Sequence, residues 1–239
     1  MKLKYGDSAI EKEYVDGILE TKVRKDLHII GHNSKPVYHF FKRAFDVISA
    51  FITLIVLSPI FVIVAILIKI DDRGPVIFKH YRMGRNGKPF GVYKFRSMKM
   101  GSEKIEDFLT PEQLEVYKKE FKLDNDPRIT KIGNILRKTS MDELPQLINI
   151  IKGEMSVIGP RPILESEFEY YTAEEKALVL TLRPGLTGYW QAYARNDATY
   201  ETGERQRMEL YYAENASIWL DIKILFKSFT SVLSRKGAK

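Results

Sequence analysis

The run from Val47 to Ile68, VISAFITLIVLSPIFVIVAILI, is 22 residues long and carries no charge. As a helix it would be roughly 33 Å long at about 1.5 Å per residue, close to the hydrocarbon thickness of a bilayer. A signal peptide fits poorly. The run begins too deep in the chain, is too long, and is followed by no small-residue cleavage site. The other alternative is a buried helix of a soluble core, but few such helices are this apolar for this long. The run is therefore expected to enter a membrane.

Ser58-Pro59 interrupts the run near its middle. Proline removes a helical hydrogen bond and kinks the chain. Each half is then roughly 15–18 Å, about half a bilayer. Charge points the same way. Lys35, Lys42 and Arg43 precede the run; Lys69, Arg73, Lys79, Arg82, Arg85 and Lys88 follow it. Flanking cations favour the cytoplasmic side, and a single crossing cannot place both flanks there. A re-entrant hairpin over 37–73 can, with Ser58 and Pro59 as its break. An ordinary spanning helix with a tolerated proline stays open as the alternative.

Over the whole chain of 239 residues the composition is that of a globular protein, with 29% charged and 44% hydrophobic residues and a net charge of +7. That excludes a wholly disordered chain and a polytopic membrane protein. With no cysteine, a disulfide scaffold, a thiolate metal site and a cysteine nucleophile are excluded. The four histidines form no HExxH pattern.

The fold class expected is α+β. A polar extension, 1–36, carries a weak helical pattern around Ile10–Leu27 and precedes the membrane helix. A mixed catalytic domain follows over 74–239. Pro75–Met98 reads as a β-hairpin around Asn86-Gly87, with Lys94 and Arg96 on a basic face. Thr110…Gln113 and Thr172…Glu175 are capping boxes that open helices to about Phe121 and Leu182. Ser140…Glu143 has the same spacing. It would open a helix with Pro145 in its first turn and Gly153 at its end, placing Asp142 and Glu143 at the helix N-terminus. The stripe Ile218, Ile222, Leu225, Phe229 and Val232 predicts an amphipathic C-terminal helix, facing either the core or a membrane interface.

Three constellations could carry chemistry. Acidic residues in a first helical turn are mostly structural, yet neighbours in sequence point about 100° apart and so suit separate tasks. One of Asp142 and Glu143 could act as nucleophile and the other as a Mg²⁺ ligand, and a helix N-terminus can also hold a phosphate. In Val157-Ile-Gly-Pro-Arg-Pro162, two prolines stiffen the backbone around Arg161, which suits phosphate binding as well as a plain rigid turn. Arg183-Pro-Gly-Leu-Thr-Gly-Tyr-Trp-Gln191 reads as a turn running into an aromatic strand, followed by Arg195-Asn196-Asp197.

KRAFDVISAFITLIVLSPIF, YRMGRNGKPFGVYKFRSM, RKTSMDELPQLINIIKGEMSVIGPRP and LRPGLTGYWQAYARND resemble, in order and spacing, the blocks of the bacterial sugar transferases, the monotopic phosphoglycosyl transferases. The resemblance covers roughly 40–235. It implies transfer of a phosphosugar from a UDP-sugar to polyprenyl phosphate, giving polyprenyl-diphosphate-sugar and UMP with Mg²⁺ as cofactor. Such a step starts a membrane glycoconjugate that downstream glycosyltransferases extend, on the cytoplasmic face of the bacterial inner membrane. By the same resemblance Asp142 is the nucleophile, Glu143 the Mg²⁺ ligand, and Arg137 and Arg161 phosphate-side residues. Lys42-Arg43 would anchor the helix at the interface. Lys94, Arg96, Arg183 and Arg195 complete the basic set expected around the phosphates. The competing reading is a non-catalytic, membrane-anchored basic module for anionic lipid or polyanion. It has no use for the acidic pair. Nucleic acid is not an expected partner, since no recognised motif is present. Apolar helix faces could meet the bilayer or a second copy in a homodimer. Nothing in the sequence distinguishes one sugar from another.

Overall fold

The computed structural model describes residues 35–120, 123, 125–194 and 202–233. Helix α1 spans Pro36–Asp71, with proline at its start, where the missing N–H costs nothing. The expected break at Ser58-Pro59 is not a turn. The helix continues through Pro59, and the Ser58 hydroxyl bonds back to the Ile55 carbonyl. A proline forfeits one helical hydrogen bond, and the turns on either side keep theirs.

The hairpin forms as expected. Strands β1 (Ile77–Met83) and β2 (Pro89–Phe95) pair antiparallel, with His80 opposite Val92 and Phe78 opposite Lys94. Asn86 and Gly87 both adopt the left-handed conformation, inside a loop longer than a two-residue turn. Beyond the hairpin come α2 (Pro111–Glu120), α3 (Lys131–Lys138), α4 (Gln146–Lys152) and β3 (Ser156–Ile158). Then follow α5 (Ala173–Leu180), β4 (Gly185–Thr187), α6 (Tyr189–Tyr193), α7 (Glu204–Asn215) and α8 (Ile218–Leu233). The Thr110 and Thr172 capping boxes are both formed in full. The expected aromatic strand is instead the short helix α6, in which Tyr189 and Tyr193 stack one turn apart at 4.6 Å. The pattern around Ile10–Leu27 lies outside the described residues.

Strands β3 and β4 pair in parallel, and glycine makes that possible. A Cβ on Gly159 would lie 2.4 Å from the Arg183 carbonyl oxygen, so only glycine lets the two segments approach. A second link is made by Asn149, wholly buried in α4. Its side chain accepts from the Tyr93 N–H at 2.9 Å and donates to the Gly91 carbonyl at 2.8 Å, acting as a strand along the free edge of β2.

Both halves of α1 pack on this same globular body. Toward its start, Lys42 and Tyr38 bond Asp221 of α8 at 2.7 and 2.9 Å. Arg43 donates to the Ile150 and Ile151 carbonyls, and Asp46 accepts from the Ser156 hydroxyl and the Val157 N–H. Toward its end, Val64 and Ile68 pack with Phe95 and Leu136, Asp71 accepts from the Ile132 N–H, and Asp72 pairs with Arg96. The opposite face is bare: Phe41, Phe51, Ile55, Val56 and Ile63 are exposed. Helix α8 behaves alike. Ile224 and Asp221 face the core, while Ile218, Ile222, Leu225 and Phe229 of the stripe expected from the sequence are exposed, along with Trp219 at 76% and Phe226 at 70%; the Val232 side chain lies outside the described residues. The core-facing alternative for that stripe is therefore overturned.

Asp46 generates a stability prediction. Asp46→Ala leaves the Val157 N–H without its acceptor and the Ser156 hydroxyl with only the Ile158 carbonyl, and should cost about 2 kcal/mol. Detergent-solubilised protein should then melt about 5–10 °C lower, while Asp46→Asn, which keeps one acceptor oxygen, should lose less than half as much.

Candidate active site

The acidic pair sits where three segments meet. The chain enters through α3, whose N-cap Thr130 accepts from the Gly133 N–H at 2.9 Å. Gly133 lies against the Ser97 backbone, where a Cβ would be 2.0 Å from its carbonyl oxygen. That approach brings Arg137 of α3 onto Ser97, with Nε donating to Oγ at 2.9 Å. Ser140 then adopts the left-handed conformation, at φ 54°, and reverses the chain.

Asp142 and Glu143 follow in a single 3₁₀ turn, Met141–Glu143. This corrects the expected capping box. Ser140 makes no side-chain cap, and α4 begins only at Gln146, so the pair precedes the helix and does not open it. The cause is local: Pro145 brings no N–H, and the chain bonds through i to i+3 contacts such as Leu147 N–H to the Leu144 carbonyl before α-geometry sets in. With α4 only seven residues long, the helix-dipole argument for a phosphate there lapses.

Lys94, from β2, faces both acids. Its Nζ is 2.9 Å from Glu143 Oε1 and 3.9 Å from Asp142 Oδ2. Asp142 is only 8% exposed. Burial pushes its carboxyl above the ordinary aspartate range, Lys94 and Arg137 oppose that, and the Glu143 charge adds to it. Burial also disfavours the charge of Arg137, which Asp142 and Asp126 support. Asp126 in turn pairs with buried Arg128 at 2.6 Å. Among the described residues no group of three or more His, Asp or Glu side chains could hold a metal. Glu143, partly exposed beside Asp142, offers one carboxylate, within the one or two that magnesium commonly takes from protein when substrate phosphates complete its shell.

The other basic residues are spread more widely than expected. Arg96 is buried and tied to Asp72 at the end of α1. Arg183 donates to the Gly153 carbonyl at 2.9 Å, just past the end of α4, where Arg43 takes the Ile150 and Ile151 carbonyls. Lys42 and Arg43 fasten α1 to the domain. Ser58 and Pro59 lie exposed on the outer face of α1. Arg195 lies outside the described residues.

Arg161 belongs to a second charged group that the sequence reading missed. Its Nη1 is 3.0 Å from each oxygen of Glu167, and Arg82 and Arg205 approach the same carboxylate at 3.6 and 3.9 Å. The Met83 N–H bonds to the Ile163 carbonyl, which brings Arg82 of β1 beside the Arg161 turn. His80 lies between this group and Lys94. Burial and the neighbouring Arg82, Lys94 and Arg161 lower its pKa to about 3, so its ring is neutral. The alternation of His80 and Arg82 with the register of Lys94 carried that signal. Nothing in ERQRMELYYAEN, with no apolar stripe, marked Arg205 or Glu209 as interior.

The chain belongs to the bacterial sugar transferase family, whose pattern it matches over residues 37–235. It is 44% identical over 207 residues to the exopolysaccharide production protein ExoY of Rhizobium meliloti, covering 85% of this chain and 90% of that one. It is 43% identical over 215 residues to the undecaprenyl-phosphate galactose phosphotransferase of Salmonella typhimurium, covering 89% of this chain and 44% of the relative. With the UDP-glucose:undecaprenyl-phosphate glucose-1-phosphate transferase of Escherichia coli the identity is 39% over 208 residues, 84% of this chain and 42% of the relative. The chain thus spans nearly all of the first relative and less than half of the other two.

Glu209 supplies a prediction about pH. It is 1% exposed, one oxygen accepts from the Arg161 N–H, and burial pushes its pKa up to about 7. The folded state therefore keeps a proton that the unfolded chain releases near pH 4.3. Its contribution to stability is full below that value and is lost as pH rises through about 7. The urea midpoint should fall between pH 5 and pH 8, and Glu209→Gln should remove most of that fall.

Proposed function

We propose that this chain transfers a sugar phosphate from a UDP-sugar to polyprenyl phosphate and releases UMP, with Asp142 as nucleophile. The observation that carries this reading is the buried Asp142 beside Glu143, both facing Lys94, in a chain of this family. A non-catalytic basic module would have no need to bury a carboxylate there. The relatives' names add substrate classes, undecaprenyl phosphate with galactose in one and with UDP-glucose in another.

The chemistry is two displacements at one phosphorus. An Asp142 oxygen forms a bond to the β-phosphorus, and the bond from that phosphorus to the bridging oxygen breaks, so UMP leaves with the electron pair. A phosphate oxygen of the lipid then attacks the same phosphorus, and the carboxylate of Asp142 is restored. Lys94 favours the ionised form of Asp142 and offers a cation to the transferring group. Glu143, with Asp142 beside it, would hold Mg²⁺, which when bound neutralises charge on the diphosphate. Arg137 stands behind Asp142 and favours its ionised form.

The membrane placement rests on α1. A straight helix of 36 residues is about 54 Å long, and if it crossed a bilayer its ends would lie on opposite sides. Here both halves are bonded to one globular body. We read α1 as re-entrant by bending at Pro59 without leaving helical geometry, with both flanks cytoplasmic, and the exposed faces of α1 and α8 as immersed in the same leaflet. The product is a lipid-linked sugar, the substrate that later glycosyltransferases extend.

Two experiments test this reading. UMP should appear in a stoichiometric burst when enzyme meets UDP-sugar and Mg²⁺ without lipid, and initial rates should give the parallel lines of a ping-pong scheme. Asp142→Asn should remove the burst and lower turnover by a factor on the order of 10³ or more; intersecting lines with no burst would mean direct transfer in a ternary complex. For topology, the chain has no cysteine of its own. Val37→Cys and Arg73→Cys should both be shielded from an impermeant maleimide added outside intact cells, and labelling of either one from outside would make α1 a spanning helix.

A further inference from the structure

Helix α4 lies against β2 through Leu147 and Ile150, which pack with Phe90 and Val92. Apolar contact of that kind is non-directional. It holds the two elements together and does little to set their register. One residue along a strand is about 3.4 Å. A slide of that size would break the 2.9 Å contact of Lys94 Nζ with Glu143 Oε1 and alter its 3.9 Å distance to Asp142 Oδ2. A directional contact is needed to fix β2 lengthwise on the chain that carries the acids.

Asn149 makes that contact. It is wholly buried, and its amide is used in full. Oδ1 accepts from the Tyr93 N–H, and the two hydrogens of Nδ2 go to the Gly91 carbonyl and to Glu154 Oε2. A slid strand would leave this buried amide unpaired. Glu154 decides which way the amide points, because a carboxylate only accepts. Left-handed Gly153 returns Glu154 to Asn149, whose backbone carbonyl accepts from the Glu154 and Met155 N–H groups at 3.0 and 3.2 Å. Glu154 also pairs with Lys152 at 3.0 Å, and Lys152 reaches the Tyr93 hydroxyl at 3.3 Å. The circuit thus closes on Tyr93, the residue before Lys94, with the two side chains on opposite faces of the strand. At the other end, α4 begins at Gln146, just after the turn Met141–Glu143.

We propose that Asn149, its amide oriented by Glu154, is a positioning residue that holds Lys94 at its working distance from Asp142 and Glu143. This rests on the reading of the chain as a transferase in which Asp142 attacks and Lys94 serves it. Asn149 touches none of the three. The influence of a cation on a nearby carboxylate falls with distance, so the register that Asn149 sets decides how strongly Lys94 favours the ionised nucleophile.

The test is a double-mutant cycle on the UMP burst, with Asn149→Ala and Lys94→Gln made singly and together. At saturating UDP-sugar with Mg²⁺, Asn149→Ala should slow the burst about tenfold, with half-saturation by UDP-sugar changed less than about threefold. In the Lys94→Gln background the same change should cost less than about twofold, because the residue it acts through is gone. The pH profile gives a readout that general loosening would not move. Asp142 attacks as the carboxylate and is faced by Lys94, Glu143 and Arg137. Withdrawal of Lys94 raises its pKa, so the acid limb of the burst rate should move to higher pH in either single variant, and no further in the double one. Should Asn149→Ala not unfold cooperatively, Glu154→Ala changes a partly exposed residue and leaves Asn149 in place with its amide free to turn. It should slow the burst about threefold, again only with Lys94 present. Equal losses with and without Lys94, an unmoved acid limb, or an unchanged burst in Lys94→Gln would overturn the positioning role alone. Absence of the burst in wild type would bring down the transferase reading and this role with it.

Discussion

A carboxylate on an apolar helix must find partners, and Asp46 finds them on β3, in the Ser156 hydroxyl and the Val157 N–H. That interaction fixes the rotation of α1 about its axis. With Asp46 turned inward, Tyr38, Ala50, Val64 and Ile68 fall on the docked face and the bulk of the aromatic and aliphatic side chains on the other. Arg43 and Lys42, one turn earlier, then reach the end of α4 and Asp221 of α8. The depth and tilt of the helix are therefore properties of the globular domain as much as of any lipid around it.

Two groups of opposite emphasis lie side by side along the hairpin. One is acidic, Asp142 and Glu143, with a single lysine between them and the strand. The other is basic, three arginines about Glu167. With the arginines drawn to Glu167 and Lys94 drawn to the acids, the two groups do not neutralise each other.

Much of this was legible in the sequence, and the pattern of what was not is physical. The capping boxes at Thr110 and Thr172, the left-handed Asn86-Gly87 and the C-terminal Gly153 are decided within a few residues, and all formed. The Ser140 box failed because its spacing was right but Ser140 adopts a left-handed backbone, incompatible with an N-cap. Tyr189–Tyr193 became helical because stacking one turn apart outweighed strand propensity. The Lys94–Glu143 contact joins positions 49 apart, and no local pattern encodes such a pairing. Arg183 and Arg96 were expected around the phosphates within the family resemblance; the fold bonds one past a helix end and the other to Asp72 at the end of α1.

A two-stranded hairpin has little stability by itself and leaves edges open to other chains. One edge of this hairpin is closed by a single amide. Asn149 takes the Tyr93 N–H, gives to the Gly91 carbonyl, and gives also to Glu154 at 2.7 Å, while its own helix follows directly on the acidic turn. The strand that carries Lys94 is thereby bonded to the helix that follows the turn carrying Asp142. The spacing of lysine and acids is then set at some distance from either, by a buried side chain that touches neither of them.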